Sequence, residues 1–265
     1  MCDFACPRKR SRAPLPQSAL RPRSADVLRG RHLLLAEDNP INQQLALEFL
    51  QRAAATVDIA ATGQQAIDAA ASHPYDAILM DIHMPEVDGL EATRAIRATG
   101  ATLPIIAVSA DALAERRSTA LAAGCNDYVT KPIDFDELLT KLHGLLSSSP
   151  LPVEPVMERR RTGGDISAAD VAALVAQRVP GINVGDAIKH HNGNVRLMLK
   201  LMGDFGNYYG DAGARIRESV QQRDYEAAER LAHNLHGVAG SFGAGHLRDA
   251  AKRWNLRCHT VMTRT

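Results

Sequence analysis

The sequence predicts a two-domain chain: a doubly wound α/β domain with a five-stranded parallel sheet, then an all-α, four-helix-bundle-like domain. Three observations carry this. Apolar runs alternate with helical periodicity from Arg31 to about Ser147. A Pro/Ser/Arg-rich stretch, SSSPLPVEPVMERRRTGG, interrupts the chain after that. Everything beyond it has helical character only. Four ranges follow: 1–30 as a disordered basic tail, 31–147 as the α/β domain, 148–164 as a linker and 165–265 as the helical domain.

The first domain is read element by element. His32–Ala36 is a short buried strand ending in Glu37-Asp38-Asn39. Pro40 opens a helix at a position that tolerates proline. Leu45, Phe49 and Leu50 mark its apolar face. Thr56–Ala60 is a second strand and Gly63–Ser72 a helix. Asp76–Asp81 is the third strand, an apolar run closed by a carboxylate and the turn residues Met84-Pro85 and Asp88-Gly89. Such a run reads as a strand buried on both faces. Gly89–Thr99 is a helix, Pro104–Ser109 a strand, and Asp111–Ala123 a helix stopped by Gly124. Asp127–Thr130 is the last strand. Asp134 caps a final helix bearing Leu138, Leu139, Leu142, Leu145 and Leu146 at helical spacing. Five β-α repeats in about 115 residues require a parallel sheet covered on both faces.

In the second domain helices are expected at Ser167–Arg178, Val184–His190, Asn194 to Asp204 or beyond, Ala212–Arg223, Tyr225–Phe242 and His246 to about Trp254. Asn255–Thr265 loses the amphipathic pattern, so the last helix is expected to be short.

Composition narrows the function classes. The chain has 265 residues, 45% of them hydrophobic, and a formal net charge of +1. That charge argues against a dedicated nucleic-acid binder. No apolar run approaches a membrane span and no secretory signal is seen. Cys2, Cys6, Cys125 and Cys258 form no CxxC pair, which fits a reducing cytoplasm. Arg8-Lys9-Arg10 reads as a solvated tail. His190, His191, His246 and His259 lack the carboxylate or cysteine that would complete a metal set, as does the His233/His236 pair.

Ligands of an open parallel sheet bind outside the carboxyl ends of its strands. Glu37 and Asp38 follow the first strand and Asp81 ends the third; in flavodoxin-type strand order those strands are neighbours. Three like charges at one mouth raise one another's pKa unless a cation joins them, and Mg²⁺ suits a few carboxylates plus phosphate. Ser109 and Lys131 end the fourth and fifth strands. Acids, hydroxyl and ammonium on successive strand ends suit phosphoryl handling.

In the second domain, Ala228, Leu231, Leu235, Val238 and Phe242 form one apolar face. His233 lies about 200° from Leu231 and is expected to project to solvent. Gly237 and Gly240 lie beside it, and each costs roughly 0.5–1 kcal/mol in a helix interior. Bare backbone next to an exposed histidine suits close approach of a partner. A surface histidine beside packing glycines is the plain alternative.

The motifs LLLAEDNPINQ, ILMDIHMPEVDG, IIAVSA and GCNDYVTKPI, in this order, resemble the receiver domain of two-component response regulators. The resemblance implies that Asp81 is the phosphoacceptor. It implies that Glu37, Asp38, Asp81 and the backbone carbonyl of His83 hold Mg²⁺. Lys131 would contact the phosphoryl oxygens, Ser109 would hydrogen-bond them on activation, and Tyr128 would be the rotating switch aromatic. A cis Lys131-Pro132 peptide is also implied. AHNLHGVAGSFGA, with KHHNGNVRLMLKLMGDF before it, resembles histidine phosphotransfer (HPt) domains. His233 then matches the phosphoacceptor and Gly237 the access glycine, with His236, Gly237 and Gly240 at the docking face. His236 stands where that family usually has lysine, and the short last helix is a second departure.

The order of the two domains resembles the C-terminal part of a hybrid sensor histidine kinase. The sequence shows no ATP-binding box, dimerisation helices or sensor, and its ragged ends suggest truncation. The implied function is a cytoplasmic Mg²⁺-dependent phosphorelay between Asp81 and His233, with an upstream histidine kinase and a downstream response regulator as partners. The alternatives are a phosphorylation-switched receiver with a non-transferring docking module, and an inactive fragment. A DNA-binding helical domain is disfavoured by its mixed charges.

Overall fold

The computed structural model describes residues 27–110, 114–146, 173–175 and 177–262, with side chains to Asn255. The tail to residue 26, the 148–164 linker and the start of the expected Ser167–Arg178 helix lie outside these residues.

The first domain is a parallel sheet in the order β2-β1-β3-β4-β5. Its strands are β1 His32–Ala36, β2 Thr56–Ala60, β3 Ala77–Asp81, β4 Ile105–Ser109 and β5 Asp127–Thr130. Its helices are α1 Pro40–Arg52, α2 Gly63–Ser72, α3 Gly89–Ala98, α4 Ala114–Ala122 and α5 Phe135–Leu146. This is the flavodoxin-like arrangement.

Strand alternation divides the core into two layers. Leu33, Leu35, Leu79, Ile106 and Val108 pack toward α1 and α5, where the Phe49 and Phe135 rings stack with centroids 3.6 Å apart. Leu34, Ile78, Met80, Ile105 and Ala107 pack on the other side, with Ala66, Ala92, Ile96 and Ala120 from α2, α3 and α4. β3 and β4 are buried throughout, the outcome expected of central strands in a covered parallel sheet.

Side chains set the helix starts. Asn39 Oδ1 accepts from the Ile41 amide at 3.0 Å, Asp88 Oδ1 from Glu91 at 2.7 Å, and Asp134 Oδ1 from Asp136 at 3.0 Å. Gly124 ends α4 at φ +105°, as its position predicts.

The expected tail is shortened by one contact. Val27–Gly30 forms a turn in which Leu28 is buried and its amide donates to the Ala53 carbonyl at 2.9 Å. A single leucine in an Arg/Ser context shows no periodicity, so the sequence could not mark it as core.

The helical domain comprises α6 Val184–His190, α7 Val195–Tyr209, α8 Ala212–Gln221, α9 Tyr225–Ser241 and α10 Gly245–Met262. α9 packs between α8 and α10, with Ala228 and Ala232 against Ile216, and Leu235 against Ala212 and Ala251. α10 runs well past Trp254, correcting the short helix expected from the sequence. Once a helix is nucleated, each added residue gains one backbone bond, and a lost apolar stripe does not end it.

The two domains share an apolar layer. The α1/α5 side of the sheet continues through Leu201, Val238 and Phe242, with Leu197, Met202, Phe205 and Tyr209 at its margin.

Gly89 is required where α3 leaves the loop after β3. A Cβ there would lie 1.9 Å from the Asp81 carbonyl oxygen. Gly89→Ala is expected to cost about 3 kcal/mol or more in chemical denaturation, the upper range of overpacking. Gly203→Ala in α7, whose Cβ would meet open space, should gain roughly 0.5–1 kcal/mol.

Candidate functional site: the mouth of the sheet

The β1 and β3 strands are paired with Ala36 opposite Met80. Glu37 and Asp81 therefore leave the sheet side by side. Carboxylate oxygens of Glu37, Asp38 and Asp81 all lie within 4.8 Å of one another. Lys131, at the end of β5, reaches across. Its Nζ lies 2.7 Å from Glu37 Oε2 and 2.7 Å from Asp81 Oδ2. The His83 amide donates to Asp81 Oδ1 at 3.2 Å, and Asn42 Nδ2 donates to Glu37 Oε1 at 2.8 Å.

Burial dominates the electrostatics. It pushes Glu37 up to about 7, with the Asp81 charge adding and Lys131 opposing. Burial likewise raises Asp81 and Asp38. Burial alone would lower Lys131, but the two carboxylates hold it well above the ordinary lysine value. Three carboxylates facing one ammonium leave a net negative, desolvated mouth. Asp38 Oδ1 is buried with no hydrogen-bond partner. Clustered oxygen ligands, one of them unsatisfied, fit a hard divalent cation.

Ser109 is fully buried at the end of β4, and its carbonyl accepts from the Lys131 amide at 2.6 Å. Tyr128 is turned inward, packed in the layer on the α2–α4 side. The Lys131-Pro132 peptide is cis.

The helical domain closes the mouth. His233 was expected on a solvent face; it is 9% exposed. The helical period correctly puts it opposite the bundle core, but the other domain covers that face. Its ring lies over His83, with centroids 4.0 Å apart and planes at 34°. Asn255 Nδ2 is 3.4 Å from His233 Nδ1, while Nε2 is buried without a hydrogen-bond partner. Burial first, then His83, Lys131, His236 and Arg116, pushes His233 down to about 2. Burial thus favours the neutral imidazole.

Gly237 and Gly240 face the α/β domain as bare backbone. A Cβ on Gly237 would lie 3.7 Å from Lys131 Cδ, and one on Gly240 3.5 Å from Pro132 Cδ. His236 turns instead to its own bundle, its Nδ1 3.0 Å from the Arg248 carbonyl. The lysine and arginine whose charges reach His233 are Lys131 and Arg116 of the other domain.

Several partners were not legible in sequence. Asn234 Nδ2 donates to Asp38 Oδ2 at 2.9 Å, and Asn39 Nδ2 donates to the Tyr209 hydroxyl at 2.6 Å. Asn255 lies 22 residues after His233, on the next helix. Only Asn234, next to His233, carried a positional hint.

Gly240 gives a steric test of this seating. Gly240→Ala should leave small-angle scattering unchanged, since its methyl makes ordinary contact with Pro132. Gly240→Val should weaken docking about tenfold, within the range of overpacking costs, and expand the particle.

Comparison with known proteins identifies both domains. The response regulator receiver domain family matches residues 33–143, and the Hpt domain family matches residues 201–260. Sensor protein GacS of Pseudomonas syringae pv. syringae is 31% identical over 262 residues, covering 94% of this chain and 27% of the relative. The signal transduction histidine-protein kinase BarA of Escherichia coli K12 is 28% identical over 239 residues, covering 88% of this chain and 24% of the relative. The chain thus spans about a quarter of the length of these relatives. Among solved structures, the receiver domain of a Pseudomonas aeruginosa PAO1 sensor histidine kinase, crystallised with a magnesium ion in its active site cleft, is 44% identical. It covers 44% of this chain and 98% of its own, with a TM-score of 0.42. Among the described residues no helix is long and apolar enough to cross a membrane. The chain carries a response regulator receiver domain followed by an Hpt domain, and is a two-component phosphorelay protein.

Proposed function

We propose that this chain passes a phosphoryl group between Asp81 and His233 of the same molecule. The observation that carries this reading is the shared burial of both acceptors in one mouth, with the His83 ring 4.0 Å from that of His233. In the proposed site Glu37, Asp38, Asp81 and the His83 carbonyl hold Mg²⁺. When bound, it offsets charge on the carboxylates and on the phosphoryl oxygens.

The residues then divide the work. A carboxylate oxygen of Asp81 attacks the phosphorus of phosphohistidine. The new O–P bond forms as the N–P bond to Nε2 breaks; with a proton on Nδ1 of the phosphorylated ring, the electron pair returns to Nε2 and a neutral imidazole leaves. In the opposite direction the lowered basicity of His233 keeps a ring nitrogen unprotonated and able to attack. Lys131, already within 2.7 Å of Asp81, offsets charge on the transferred group, and the His83 amide holds the second Asp81 oxygen. Ser109 supplies a hydroxyl to a phosphoryl oxygen, and Tyr128 is the aromatic that answers its movement. The reverse step uses the same groups. An upstream histidine kinase supplies the phosphoryl group and a downstream response regulator receives it. In this reading the Hpt domain extends over 165–265.

A second reading rests on His236, which turns to Arg248 rather than the mouth. The helical domain would then dock without accepting.

Intact mass after incubation with Mg²⁺ and acetyl phosphate separates the two. One added group, absent in Asp81→Asn and partly converted to an acid-labile, base-stable form absent in His233→Gln, is expected. Addition at Asp81 that never reaches His233 would favour the docking module. No addition to folded protein would overturn the receiver chemistry.

A further inference from the structure

The apolar layer joining the domains supplies attraction but little register. Leu201, Val238 and Phe242 could slide over the α1 side of the sheet at small cost, because apolar contact is non-directional. Register needs directional bonds. Among the described residues, two cross the interface onto the same loop, from two helices. Asn234 of α9 donates to Asp38 Oδ2 at 2.9 Å, and Tyr209 at the end of α7 accepts from Asn39 Nδ2 at 2.6 Å. Asn39 is itself fixed, because its Oδ1 caps α1. Burial pushes the Tyr209 phenol up to about 12, so it stays a neutral hydroxyl.

We propose that Asn234 and Tyr209 form a polar latch on the β1–α1 loop that seats His233 at the mouth holding Asp81 and, in the same act, slows the access of outside phosphodonors to Asp81. The proposal rests on the relay reading above and adds the residues that set pairing and access. The neutral amide of Asn234 suits this place. It satisfies one oxygen of Asp38 without neutralising the carboxylate, and leaves Oδ1 unpartnered toward the mouth. Closure follows from the same seating: α9 lies on Asp38, His83 and Lys131, the residues around Asp81, and Asp81 is fully buried.

The latch predicts opposite signs for two rates. In the full chain with Mg²⁺ and acetyl phosphate, quenched samples are split into an Asp81-bound, base-labile pool and a His233-bound, acid-labile pool. Asn234→Leu removes a bond to a carboxylate, so total uptake should rise about tenfold and transfer to His233 should fall about tenfold. Tyr209→Phe removes a neutral bond and should move both rates the same way, about threefold. Damage to the receiver would lower both rates together, and that result overturns the latch. Unchanged rates in both variants also overturn it. If the wild type never loads His233, the relay reading fails, while a rise in uptake for Asn234→Leu would still support closure by the latch.

Discussion

Everything at the mouth depends on Lys131 spanning two carboxylates. Glu37 and Asp81 are buried and adjacent because β1 and β3 pair in register. Their mutual repulsion and lost hydration would be severe without a counter-charge. The Lys131 ammonium, itself buried, supplies one at 2.7 Å to each. It still leaves Asp38 uncompensated. The mouth is thus a site of unfinished neutralisation, which is what a cation and a phosphoryl group would complete.

The same lysine links the domains. Gly237 passes over its aliphatic stem, so α9 comes close enough for His233 to lie on His83. α9 has two working faces. Ala228, Ala232 and Leu235 pack into the bundle, while His233, Gly237 and Gly240 pack on the receiver. At both glycines a methyl would make ordinary contact, so this approach excludes only larger side chains, and the desolvation that follows favours the neutral imidazole.

Much of the fold was legible in the sequence. Short segments between turn and helix signals marked all five strands, with continuous apolar runs at β1, β3 and β4, and Pro40, Asp134 and Gly124 marked helix ends. The acid cluster was legible because strand order follows from the repeat pattern. What stayed hidden was tertiary. Leu28 had no periodic company. α10 outlasted its apolar stripe. His233 was placed on the correct side of its helix, but one-helix periodicity cannot show that a second domain covers that side. Asn234, Tyr209 and Asn255 act through contacts distant in sequence, and an isolated asparagine or tyrosine carries no local signal for such a role.

The central claim is that His233 is seated in the receiver mouth. Histidine-ring NMR of the full chain tests it most directly. Rings with centroids 4.0 Å apart should give a cross-relaxation peak between His83 and His233. His233 should stay neutral far below the ordinary histidine value of 6.5, toward about 2. A His233 ring with no contact to His83, titrating near 6.5, would contradict the account.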